Sequence, residues 1–211
     1  ARRPLLALMT GAGGLGHGIR LALVAAAFVV VAGCGSDRPQ FKATDITGTS
    51  YGREFALADH DGKPRTLADF RGKAVVLFFG YTHCPDVCPT TLSELAEAMR
   101  RLGADAKRVQ VLFVTVDPER DTPELLRVYV PAFDPSFLGL VGDKAALERT
   151  AKEFKVVYQK QPGQTPGSYT MDHSAGAYLF DPQGRLRVYV SYGAGPDVFA
   201  HDLALLLRGA A

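Results

Sequence analysis

Tryptophan is absent from the 211 residues, cysteine and methionine occur three times each, and no stretch carries a block of like charge. The last absence excludes most, because 24 basic residues are interspersed with 22 acidic ones and the formal net charge is only +2. A nucleic-acid-binding face needs clustered Lys and Arg and is excluded. Neither a collagen-like period nor a coiled-coil pattern is found, and there is no internal repeat. No apolar run reaches the length needed to cross a bilayer core roughly 30 Å thick as a helix. With three cysteines in all, a structural zinc site built on two cysteine pairs is excluded as well. What is present is the composition of a globular chain, 47% hydrophobic and 22% charged. Its length predicts one domain, or one domain plus a tail, with core enough to fold without metals or disulfides.

The first 33 residues read as a signal segment rather than as part of the fold. Leu21 to Ala32 (LALVAAAFVVVA) is an uncharged apolar run preceded by Arg20, Arg3 and Arg2, with the length of a signal-peptide hydrophobic region. It ends in Val31-Ala32-Gly33-Cys34, which resembles a bacterial lipobox whose cysteine receives the lipid. The alternative is an uncleaved hydrophobic anchor with Cys34 a bystander. Both place the remainder outside the cytoplasm, as a membrane-anchored protein on the periplasmic or outer face of a membrane. Residues 34–53, rich in Gly, Ser, Thr and Asp without periodicity, read as a tether, and the domain is expected over 54–211.

Within that domain, Asp61-Gly62 marks the turn of a short N-terminal hairpin, flanked by Phe55-Ala56-Leu57 and Arg65-Thr66-Leu67. Ala74 to Phe79 (AVVLFF) is a continuous apolar run, the mark of a strand buried on both faces, and Val109 to Val116 is a second. Leu92, Leu95, Ala96, Met99 and Leu102 recur at helical spacing and predict a helix from about Pro89. Further helices are expected from Thr122-Pro123 to before Pro131, over Lys144–Phe154 and over Pro196–Leu207. Strands are expected at Val156–Gln159, Ala177–Phe180 and Leu186–Tyr192, with Gln161–Ser168 an exposed loop. The alternation implies an α/β sandwich, a mixed central sheet flanked by helices with an N-terminal hairpin extension. A thioredoxin-like fold is the simplest member of that set with cysteines at the end of its first buried strand.

The chemistry-bearing segment is Phe79-Gly80-Tyr81-Thr82-His83-Cys84-Pro85-Asp86-Val87-Cys88-Pro89. A thiol between a buried strand and a helix sits near free backbone N–H groups, which favour the thiolate. Cys84 and Cys88 are four apart, so on a helical turn both sulfurs approach one point, either a disulfide or a soft metal ion. The spacing is one residue longer than the C-x-x-C of dithiol oxidoreductases, and Tyr81 stands where a peroxiredoxin-type site has Thr. Two thiolates and one neutral imidazole suit Cu(I). Of the five histidines, His17 lies in the signal, His60 in the hairpin, and His201 in the last helix. His83 precedes Cys84 and is expected to point away from the pair. His173 follows the long loop and is placed to lie over the cysteine helix, or else to act as a capping or core histidine.

Taken together, FGYTHCPDVCPTTL (Phe79–Leu92), VDPERDTP (Val116–Pro123), and MDHS (Met171–Ser174) followed by YLFDPQG resemble the Sco/SenC family of thioredoxin-like copper proteins involved in cytochrome c oxidase assembly. The resemblance covers about residues 40–208, with Met171 standing where Val is more usual. It implies copper ligation by Cys84, Cys88 and His173, with copper as Cu(I) and possibly Cu(II). It also implies a metallochaperone rather than a turnover enzyme, serving oxidase subunit II or another copper protein. The alternative is a thiol-disulfide reductase using Cys84 and Cys88 as its redox pair, fed by a thioredoxin-like reductant. Asp117 is a candidate to line the same rim and hydrogen-bond a ligand, or to cap a turn; Asp172 is a candidate to orient His173, or again to cap a turn.

Overall fold

The computed structural model describes residues 40–209. The expected signal segment, Cys34 and His17 lie outside the described residues. In chain order the elements are β1 (Thr44–Asp45), β2 (Ala56–Asp59), β3 (Pro64–Thr66), β4 (Ala74–Gly80), α1 (Val87–Leu102), β5 (Val109–Thr115), α2 (Pro123–Tyr129), β6 (Leu138–Val141), α3 (Lys144–Glu153), β7 (Tyr158–Pro162), β8 (Tyr169–His173), β9 (Ala177–Phe180), β10 (Leu186–Val190) and α4 (Pro196–Leu207).

Eight strands form one sheet in the order β1-β10-β9-β4-β5-β6-β2-β3, and β7 and β8 form a separate two-stranded ribbon. The apolar runs seen in the sequence make the centre. Every residue of β4 and β5 is buried, and the two pair in parallel from Ala74↔Val109 to Gly80↔Thr115. β6 continues in parallel and β9 runs antiparallel to β4, so the sheet is mixed. The apolar stripe of α1 buries Cys88, Leu92, Leu95 and Met99, and α4 packs against both α1 and the β4–β10 region. α2 packs on β6 and α3 on β2. The helix starts are chemically marked: the Thr122 hydroxyl accepts the Leu125 N–H with Pro123 following, and the Asp143 carboxylate accepts that of Ala146. The expected α/β sandwich with a thioredoxin-like arrangement and an N-terminal hairpin is the one observed.

Three local expectations differ. The tether was expected to run to residue 53, yet the chain from Phe41 onward is fixed to the domain. Asp202 in α4 takes the backbone N–H groups of Lys42 and Ala43 at 2.8 and 2.9 Å, and β1 pairs with β10. Phe41, Ala43, Ile46 and Tyr51 pack on the core. This segment shows no periodicity because it is held by a buried carboxylate about 160 residues away and by a two-residue strand. β6 is missed because LGLV is too short to show a period. The loop Gln161–Ser168 is exposed as expected in most of its length, but it joins β7 to β8, so the residues leading to His173 are a strand.

Candidate metal centre

β4 carries the chain upward to Gly80, and the turn beyond it delivers Cys84 to the foot of α1. The first N–H groups of a helix have no partner within it. Here the Cys88 N–H points at the Cys84 sulfur at 3.4 Å, so a thiol occupies the place of a capping side chain. Cys88 lies in the first turn and is fully buried, whereas Cys84 is half-buried. The third group arrives from the other end of the chain, since β8 ends at His173 and sets its Nε2 3.6 Å from the Cys88 sulfur. Cys84, Cys88 and His173 place one ligand atom each within 4.8 Å of one another, the one such cluster among the described residues. Both cysteines are free thiols, so the arrangement is the dithiol one.

The imidazole is fixed from two sides. Its Nδ1 lies 3.0 Å from the Ser174 carbonyl, which can only accept, so Nδ1 carries the proton and Nε2 presents a lone pair toward the sulfurs. The Tyr81 ring packs edge-on against it, with centroids 5.9 Å apart and planes at 89°. The two thiols are electrostatically unequal. The hydrogen bond from the Cys88 thiol, with those from the backbone N–H groups of Asp86 and Cys88, holds Cys84 well below the ordinary thiol range. The same hydrogen bond, together with burial, pushes Cys88 up.

Behind the cysteines lies Asp121, which is entirely buried. Its carboxylate accepts the Thr82 N–H at 3.0 Å and the hydroxyls of Thr82 and Thr115 at 2.5 and 2.6 Å. The motif loop is thereby fastened to the end of β5. Nothing in the sequence singled Asp121 out, although it belongs to the same VDPERDTP stretch as Asp117.

Asp117 does not reach the three ligand groups. Its carboxylate accepts the Tyr169 hydroxyl at 2.9 Å and Arg120 Nε at 2.5 Å, and its carbonyl caps the turn that holds Arg120 and Asp121. Arg120 in turn stacks on the Tyr169 ring, 3.6 Å from Cζ to centroid. Asp117 thus ties the strand that carries His173 to the loop after β5. Asp172 is exposed and its side chain forms no hydrogen bond among the described residues; the expected role of orienting His173 falls to the Ser174 carbonyl and Tyr81.

The remaining described histidines are accounted for without the sulfurs. His83 is half-exposed and faces the Thr82 hydroxyl and Asp121, away from the pair as expected. His60 is buried and accepts the Gly139 N–H, and His201 sits beside Asp202.

Gly80 is the other residue that the motif conceals. An added Cβ would lie 2.9 Å from the Cys88 sulfur and 2.7 Å from a Phe113 ring carbon, so only glycine lets the sulfur close onto the strand. Gly80→Ala is expected to cost about 1–3 kcal/mol through overpacking, read as a lower urea midpoint. An unchanged midpoint would contradict this close approach.

A thioredoxin-like fold with two free thiols and an imidazole converging from a separate ribbon defines a protein built for a soft metal ion or for thiol exchange. The SCO1/SenC family model matches residues 43–208, and the chain belongs to that family. Among curated relatives, the mitochondrial SCO2 homolog of Mus musculus is 42% identical over 138 residues, 64% of this chain and 54% of the relative. The Bos taurus homolog is 43% identical over 140 residues, 65% of this chain and 53% of its own length. The chain thus spans about half the length of the curated relatives it matches. Among solved structures, Bradyrhizobium japonicum ScoI with copper bound is 43% identical with a TM-score of 0.67, covering 74% of this chain and 98% of that one. Yeast Sco1 with copper bound is 31% identical with a TM-score of 0.69, covering 77% and 91%.

Proposed function

We propose that this protein is a copper metallochaperone in which Cys84, Cys88 and His173 hold the ion and release it to another copper protein. The observation that carries the reading is the convergence of two sulfurs and one imidazole nitrogen within 4.8 Å. Copper is favoured over other ions because soft thiolates dominate the donor set and no carboxylate joins it, and copper-bound structures of similar proteins support the choice. The bound ion is Cu(I) in the reduced protein, with Cu(II) a second candidate for the same donors. The recipient is cytochrome c oxidase subunit II, a reading that rests on the family resemblance. Ligand exchange starts at Cys84, the more exposed sulfur, because an incoming thiolate reaches it before the buried Cys88. Metal analysis of the reduced protein beside its thiol count tests the reading, with about one copper per chain expected from a single three-donor site. A reduced protein that retains no copper would overturn it.

The inequality of the thiols favours a second reading, a thiol-disulfide reductase. The Cys84 thiolate attacks a target disulfide and forms a mixed disulfide; Cys88 then displaces the target thiolate. Two electrons pass to the target, the Cys84–Cys88 disulfide is left, and a thioredoxin-like reductant restores the dithiol. His173 separates the readings, because ligation uses its Nε2 and the exchange does not. His173→Ala should weaken copper retention while Cys84 and Cys88 still oxidise to a disulfide.

Membrane anchoring through a lipid on Cys34, with residues 1–33 as the signal, is part of the same proposal. Among the described residues no helix is long and apolar enough to cross a membrane. Wild type should incorporate labelled fatty acid and Cys34→Ser should not, since acyl chains contribute about 0.8 kcal/mol per buried CH₂ and two or more make a stable anchor. Label persisting in Cys34→Ser would remove this part.

A further inference from the structure

The pole opposite the cysteines, where β4 begins and the β9–β10 turn lies, carries two adjoining cavities of about 610 and 570 Å³. Both are lined by Arg53 and Arg71; Arg149 lines the first, and Arg185 and Arg187 the second. The charges do not cancel. Arg185 and Arg187 share one carboxylate, that of buried Asp181, at 2.7 and 3.1 Å. Arg53, Arg71 and Arg149 pair with no carboxylate among the described residues. The carboxylates in the lining are Glu54 and Glu153, and one oxygen of Glu153 is taken by the Arg53 backbone N–H.

Two of the guanidinium groups are held in place. Arg187 is only 6% exposed, its Nε donates to the Thr47 hydroxyl at 2.9 Å, and its Nη1 goes to Asp181. Arg71 donates Nη1 to the Gln183 carbonyl and lies against Gly184, whose φ is +70° and whose added Cβ would come 3.1 Å from Arg71 Cζ. Thr49 in the same lining has a buried hydroxyl with no hydrogen-bond partner. Such a hydroxyl is normally matched, and surplus planar forks match the oxygens of a phosphate group in pairs.

We infer that this cleft binds a phosphate-class oxyanion through Arg53 and Arg71, with Thr49 and the rest of the cavity receiving the group that carries it. The site lies away from the sulfurs and does not depend on the metal reading. The full-length protein is titrated with inorganic phosphate at constant ionic strength, chloride replacing phosphate in the control, and backbone amide shifts are followed. Saturable shifts at residues 47–53, 71 and 184–187 are expected. Arg53→Gln combined with Arg71→Gln should weaken the midpoint roughly tenfold or more, as loss of charge-assisted hydrogen bonds requires. Both side chains are exposed, so urea stability and copper content should stay as in the wild type.

A second arm compares sedimentation with phosphatidylglycerol and phosphatidylcholine vesicles. Wild type retained over the double variant on phosphatidylglycerol alone assigns a lipid headgroup. A phosphate response without that difference assigns a free phosphate compound. Identical shifts with chloride, or an unchanged midpoint in the double variant, would overturn the inference.

Discussion

Cys88→Ser should lose copper far more completely than any change outside the ligand set, and Cys84→Ser should behave alike. Hydroxyl oxygen is a hard donor and does not replace a thiolate for Cu(I). Altering an outer contact of a metal ligand typically costs 10–100-fold in affinity, so removing one of two sulfurs is expected to exceed about 100-fold. Position adds to the effect at Cys88. Its sulfur is buried against Gly80, 3.6 Å from His173 Nε2, so it is the donor through which the two halves of the site meet. Copper retained at the wild-type level in both serine variants, measured after dialysis against a competing Cu(I) chelator, would remove the site assignment. Loss in both with retention in His173→Ala would leave a two-sulfur site and discard the histidine.

Asp121→Ala carries the second large effect, and it is one of stability. The carboxylate is fully buried and receives three hydrogen bonds, from the Thr82 N–H and from the hydroxyls of Thr82 and Thr115. Alanine leaves those donors unpaired beside a fully buried position, which costs about 1–3 kcal/mol for each buried group left unmatched. A total near 3–5 kcal/mol is expected, at the upper end of single-residue effects. Asp121→Asn keeps the shape and acceptor oxygen and should lose less. Urea unfolding of the metal-free protein reads this without reference to copper. A wild-type midpoint for Asp121→Ala would show that the loop before Cys84 does not depend on the carboxylate.

The legible parts of the fold were those whose pattern is local. The apolar run of β4 and the helical spacing of α1 announce their own environments, and so does the Thr122-Pro123 helix start. β1 and β6 owe their existence to neighbours far along the chain, Tyr189 and Val188 for one, Leu112 to Val114 for the other, and so leave no periodicity to read. The site divides in the same way. Cys84 and Cys88 are visible as a pair at one helical turn, whereas His173 stands 85 residues from Cys88 and only the family motif chose ligation for it over a capping or core role. Asp172 was favoured because it adjoins His173, but side chains alternate along a strand and its own points outward. Asp121 was passed over because only the folded chain shows that Thr82 and Thr115 converge on it.

The ribbon of β7 and β8 is separate from the large sheet, yet it supplies the imidazole. An ion gripped by Cys88 and His173 closes a loop of 85 residues, so it acts as a reversible cross-link between two parts of the chain that share no strand pairing. Only the native arrangement offers all three donors at once, which makes occupancy a report on completed folding and couples resistance to unfolding to the free copper level. If the ion is handed on as proposed, its withdrawal removes this cross-link at the moment of transfer and leaves the ribbon held by the contact of Tyr169 with Asp117.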